Sequence, residues 1–141
     1  MIVGDDMKNR SELREVIMKV LYQIEIFEGT NIEYHVEDLI KEQLEVENEF
    51  VNDTISGIIK NQNEIIDLDN KYLNEWTMDR LNKVDQAILL LGTYELMYTD
   101  TPSVVAINEA IELSKKYSEE AVTKMINGVL DKIYHEEKKD E

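Results

Sequence analysis

The sequence predicts an all-α protein, and three observations carry that prediction. Every sizeable apolar pattern repeats at intervals of three and four residues, no segment alternates convincingly, and the stretch from Val84 to Tyr98 is apolar on nearly every face. The repeats predict amphipathic helices. The all-round apolar stretch predicts a hub enclosed by the others.

The first helix begins at Ser11 as N-cap, carries the stripe Leu13, Val16, Ile17, Val20, Leu21 and Ile24, and stops at Gly29. A second is expected from about Ile32 to Leu44 on Val36, Leu39 and Ile40. A third starts at about Glu47 with Phe50, Val51, Thr54, Ile55, Ile58 and Ile59. Ile65, Ile66, Tyr72 and Leu73 either extend the third helix or start another after Asn61-Gln62-Asn63. The pattern breaks at Asn74 to Thr77, and Thr77 is an expected N-cap for the hub, with Asp79 in its first turn where a carboxylate suits the helix dipole. Pro102 ends the hub, and Ser103 caps a helix built on Ala106, Ile107, Ala110 and Ile111. The last helix opens at Glu119-Glu120 and buries Val122, Met125, Ile126, Val129, Leu130 and Ile133. Asn127-Gly128 lies within its 3.6-residue period, so it reads as a helical glycine admitting a close neighbour and not as a hairpin turn. The expected organisation is one domain over 1–141, with helical subdomains at about 8–75 and 76–135 and a charged, frayed tail at 136–141.

A chain of 141 residues with 43% hydrophobic content can bury a core of its own. It has no cysteine, which excludes disulfides, thiolate metal sites and cysteine nucleophiles. No leader pattern or long apolar run is present in it, so a cytoplasmic location away from membranes is expected. The formal net charge is -16, which opposes non-specific association with phosphate backbones. The acidity is uneven. Residues 1–19 carry four bases and four acids, whereas 20–76 sum to -11 and 77–141 to -5.

Enzymatic readings find little support. The five glycines form no phosphate-binding loop, and His35 and His135 lack partners at metal-ligand spacing. Asp67-Leu68-Asp69-Asn70-Lys71 starts like a calcium loop but has Lys71 and Tyr72 where a third acid and a glycine are needed. Acid pairs such as Glu109 and Glu112 read as solvated helix charge. A non-enzymatic protein without a cofactor is expected.

Three blocks point to a family. V-D-Q-A-I-L-L-L-G-T-Y-E-L at Val84 to Leu96, P-S-V-V-A-I-N-E-A-I-E-L at Pro102 to Leu113 and I-N-G-V-L-D-K-I at Ile126 to Ile133 resemble, in order and spacing, the carboxy-terminal half of the transcription antitermination factor NusB family. Leu21-Tyr22-Gln23 and the Gly57 segment fit the same pattern more loosely. The resemblance implies two small helical bundles packed across each other. It also implies a binding function: pairing with NusE, a ribosomal protein of the small subunit, and gripping boxA RNA in the nascent ribosomal RNA leader, so that RNA polymerase, contacted indirectly, reads through terminators. Members occur as monomers or weak homodimers.

The implied RNA residues transfer unevenly. The family's arginine-rich start survives as Lys8, Arg10 and Arg14, interrupted by Glu12; Arg10 and Arg14, four apart, are expected on one face at a helix start that attracts phosphate. The second RNA element, typically aspartate, serine, a variable residue, lysine and phenylalanine, is here Ala121 to Met125. Lys124 keeps the phosphate contact, while Met125 stands where a ring would stack. The NusE-facing positions hold Tyr22, Asp79 and Asp85, an aromatic beside acids suited to a basic partner. Gln86 and Leu90 replace two arginines of the family, so an ion pair expected in the hub helix is absent. Two alternatives stand beside this reading. One is an acidic protein adaptor that has discarded RNA, and the other is a NusB-like domain acting with a ribosomal RNA methyltransferase, against which the lack of a methyl-donor domain before Glu141 argues.

Overall fold

Side-chain caps set where the predicted helices begin. The computed structural model describes residues 8–138, which form six α-helices and one short 3-10 turn without a strand among the described residues. Helix α1 spans Arg10–Glu28 and is capped two residues before the expected position. Asn9 Oδ1 accepts the Glu12 N–H at 2.8 Å and Glu12 Oε1 accepts the Asn9 N–H at 2.9 Å, a reciprocal capping box that Ser11 cannot form from inside the first turn. Glu12 therefore serves the helix start. Gly29 ends α1 as expected.

Helix α2 is shorter than its apolar pattern suggests, Val36–Gln43. The connection before it is held by Tyr34, whose ring stacks on Phe27 at 5.4 Å and whose hydroxyl donates to Glu28 at 2.6 Å. Helix α3 runs unbroken over Glu49–Tyr72, so Ile65 and Ile66 extend the third helix and do not open a new one. Asn61 remains helical with its amide donating to Gly57 O at 2.8 Å. The break after α3 is sharp. Asn74 adopts φ 58°, a left-handed conformation that asparagine tolerates better than most residues, and the chain leaves the helix axis there.

Thr77 does not cap the hub. Its hydroxyl bonds the Asp79 carboxylate within a 3-10 turn, Met78–Arg80, while Asn82 Oδ1 accepts the Asp85 N–H at 2.9 Å and starts α4, Lys83–Tyr98. Helix α5 covers Ser103–Tyr117, with Pro102 at its N-cap position, and α6 covers Glu120–Glu137. Of the expected tail, Glu136 and Glu137 are helical, Glu137 meets Lys71 Nζ at 2.8 Å and Tyr72 Oη at 2.5 Å, Lys138 ends α6 with its Nζ donating to Leu96 O at 2.7 Å, and 139–141 lie outside the described residues.

Helix α4 is the hub: it packs against α1, α3, α5 and α6. Ala87 through Leu91 are each at most 2% exposed, so the all-round apolar pattern does mark enclosure. Because α1 packs against α4 as well as α2 and α3, both halves of the chain share one core. Glycine matters twice in it. A Cβ on Gly92 would stand 3.0 Å from Ala110 Cβ, and one on Gly57 would collide with the Tyr94 ring that crosses α3 there. Gly128, expected to admit a neighbour, has open space where a Cβ would go and faces nothing.

One buried acid has an energetic consequence. Asp69 is fully buried; its Oδ1 accepts the Thr93 hydroxyl of α4 at 2.5 Å, and Oδ2 has no hydrogen-bond partner among the described residues. Burial pushes this carboxyl well above its usual range, with the Thr93 bond only partly opposing. The native state thus keeps a proton that the unfolded chain has already lost, and stability falls as pH rises from the ordinary carboxylate pKa of about 3.9 towards the raised native value. Asp69→Asn removes that linkage while keeping an acceptor for Thr93. In urea melts across a pH series, the variant's stability relative to wild type should rise with pH through this window; a constant difference would show that Asp69 titrates normally.

Candidate nucleic-acid and partner interface

Arg10 and Arg14 both lie over the Phe50 ring but differ in burial. Arg10, in the first turn of α1, is exposed, and its guanidinium lies 4.0 Å from the Phe50 ring centroid, a cation–π contact that orients the side chain without neutralising it. Arg14 comes one turn later and points inward at 5% exposure. Its Nε donates to Glu95 Oε1 at 2.6 Å, its Nη2 to Glu95 Oε2 at 2.9 Å, and its Nη1 lies 3.3 Å from Glu109 Oε1. The expectation that Arg10 and Arg14 meet phosphate together is thereby corrected. Glu95, 1% exposed on the hub helix, takes its bidentate partner from α1. Burial alone would lower the Arg14 pKa, but the bonds and charge of Glu95, then of Glu109, outweigh it and raise it. Arg14 is a fully charged tie between α1, α4 and α5.

Of the other two amino-terminal bases, Lys8 is partly buried and Arg10 exposed. The last turn of α5 connects this region with the second basic element. Lys116 Nζ donates to both Glu15 oxygens at 2.9 Å, Tyr117 Oη also bonds Glu15, and Ser114 Oγ lies 2.7 Å from Thr123 Oγ1 at the start of α6. Lys116, whose side chain is mostly exposed, is a base the sequence reading passed over, although Lys115-Lys116 closing a helix was its visible sign. One residue beyond Thr123, Lys124 projects into solvent with Glu120 at 3.5 Å, an exposed pair worth little and easily exchanged for phosphate. Met125 is half-buried and divides its surface between the core edge and a groove.

The partner-facing residues also separate. Tyr22 is 37% exposed on α1, and Asp79 is exposed in the 3-10 turn. Glu25, one turn after Tyr22, lies 4.0 Å from Lys83 Nζ at the start of α4, so the Tyr22 face adjoins the segment that carries Asp79. Asp85 is corrected as an open contact. It is 3% exposed, and its carboxylate accepts the Ser118 hydroxyl, fastening the hub's first turn to the α5–α6 connection. Burial raises its pKa, Ser118 opposes this, and the Glu119 charge adds to it.

A groove of about 470 Å³ is lined by one residue of each set, Met125 and Asp85. Trp76 and Arg80 from the inter-helix connection form one side, Val122 and Met125 from α6 the other, and Asp85 lies in its lining. Among the described residues no helix is long and apolar enough to cross a membrane.

The NusB family model matches residues 11–135. The transcription antitermination protein NusB of Macrococcus caseolyticus is 41% identical over 127 residues, which cover 89% of this chain and 95% of that protein. The fold is similar to that of T. maritima NusB, with a TM-score of 0.79, 36% identity and 92% of each chain covered. It is also similar to a chain in a crystal structure of antitermination factors NusB and NusE in complex with dsRNA, with a TM-score of 0.78, 26% identity, and 92% of this chain and 98% of that chain covered.

Proposed function

This chain belongs to the NusB family, and from that premise we propose that it is a transcription antitermination factor that binds NusE and, with it, boxA RNA in ribosomal RNA leaders. The observation that carries this reading is the matched fold in a chain whose relative forms a complex with NusE and RNA. It works in the cytoplasm, as an adaptor and not as a catalyst. The RNA contacts are Lys8, Arg10, Lys124 and Met125, with Arg14 acting through the position of α1. The NusE contacts are Tyr22 and Asp79, with Asp85 holding the surface from beneath.

Charge predicts an ordered assembly. At -16 the free protein repels RNA over distances comparable with a Debye length of roughly 10 Å at 0.1 M salt, whereas Lys8, Arg10 and Lys124 attract only near contact. A basic partner that covers acids reverses the balance. The test is to titrate the protein, NusE and their mixture with a boxA RNA at several salt concentrations. The pair should bind the RNA much more tightly than the free protein, and more weakly as salt rises. Tyr22→Ala with Asp79→Lys should weaken NusE binding by about 2 to 3 kcal/mol without altering the melt, since one removes apolar contact and the other presents repulsion at exposed positions. NusE binding without any RNA capture would favour the adaptor reading.

A further inference from the structure

We propose that Trp76 is a base-stacking residue, and that the groove it lines receives one unpaired nucleobase of the bound RNA; this rests on the RNA-binding reading above. Trp76 is 46% exposed, an uncommon position for the largest apolar side chain in a chain this polar. The backbone puts it there deliberately. Asn74 at φ 58° turns the chain off the end of α3, the Trp76 N–H donates to Leu73 O at 3.1 Å, and Asn70 Oδ1 takes the Met78 N–H at 2.8 Å. These bonds fix the segment on both sides of the indole. A rigid, half-exposed ring stacks on a ligand without a large loss of entropy.

The lining selects the occupant. Arg80 lies 5.3 Å from the Trp76 ring centroid and is tied by Nη1 to Glu75 O at 3.4 Å, so a cation already sits on the indole. That disfavours a second cation from a basic protein partner. Glu75 and Asp85 line the groove and repel a phosphate, whereas a flat, neutral ring meets neither objection. Val122 and Met125 of α6 line the same groove as Trp76 and offer apolar contact, and Lys124, which precedes Met125, is exposed to meet the phosphate of the same nucleotide.

Trp76 is the only tryptophan in the sequence, so its emission reports directly on the groove. The protein–NusE pair is titrated with boxA RNA, the signal of NusE with RNA is subtracted, and RNA affinity is measured separately by anisotropy. Stacking predicts quenching with the same midpoint as RNA binding. It also predicts about a ten-fold weaker RNA affinity for Trp76→Ala, near-complete recovery in Trp76→Phe, and unchanged NusE affinity in both. RNA captured tightly by Trp76→Ala, with no quenching in the wild type, overturns the stacking proposal and leaves the RNA-binding reading intact. Quenching by NusE alone, together with lost NusE affinity in Trp76→Ala, assigns the groove to a protein segment and overturns it too. A wild-type pair that binds no RNA overturns both.

Discussion

Replacing Arg14 with methionine is expected to lower stability by about 3 to 5 kcal/mol, the typical result of removing one member of a buried ion pair. The methylene stem is roughly conserved, so the loss comes from Glu95, left 1% exposed with the Thr101 hydroxyl at 3.1 Å and Glu109 close by, both previously balanced by the guanidinium. A melting temperature lower by on the order of 10 °C follows for a chain of this size. Adding Glu95→Leu to Arg14→Met should recover much of the loss, because the stranded charge is removed along with its partner. This double variant separates burial from RNA contact. If Arg14→Met melts like wild type but fails to hold RNA in the NusE pair, Arg14 returns to the surface as a phosphate ligand.

Leu91→Asp should be at least as damaging. Leu91 is 2% exposed in a helix packed on four others, so a carboxylate there is held away from water. An unpaired buried charge costs several kcal/mol, a large part of a total stability of roughly 5 to 15 kcal/mol. The variant should show no cooperative melt by circular dichroism at 25 °C, whereas Leu91→Met should stay within about 1.5 kcal/mol of wild type. A cooperative, wild-type melt for Leu91→Asp would mean that α4 is not the enclosed helix.

Local signals were reliable wherever the determinant was local. Gly29 stops α1 and the α1 stripe is buried as its spacing requires, whereas in α3 the burial stops short at Ile59, 42% exposed, and in α6 Val122 and Met125 are only half-buried. Helix starts were harder to place because several capping residues compete within a few positions. Asn9 prevails over Ser11 because Glu12 completes its box, and Asn82 prevails over Thr77 because Asn70 draws the intervening segment into a 3-10 turn. Arg14 left a sign that was not used: it falls three and four residues before Ile17 and Met18, on the buried face. Trp76 left none, since a tryptophan beside a turn is as readily core as surface.

The sequence by itself determined the helical class, the hub and the family. Each follows from periodicity or from motif order along one chain. Only the tertiary structure decided which charges are spent inside. Arg14 belongs to Glu95, 81 residues away, Asp85 belongs to Ser118, and Asp69 belongs to Thr93. Periodicity states that a helix face is covered but not what covers it. Whether a charged residue is a surface contact or a structural tie depends on the group that the crossing of two distant helices places opposite it, and that is settled by packing in three dimensions.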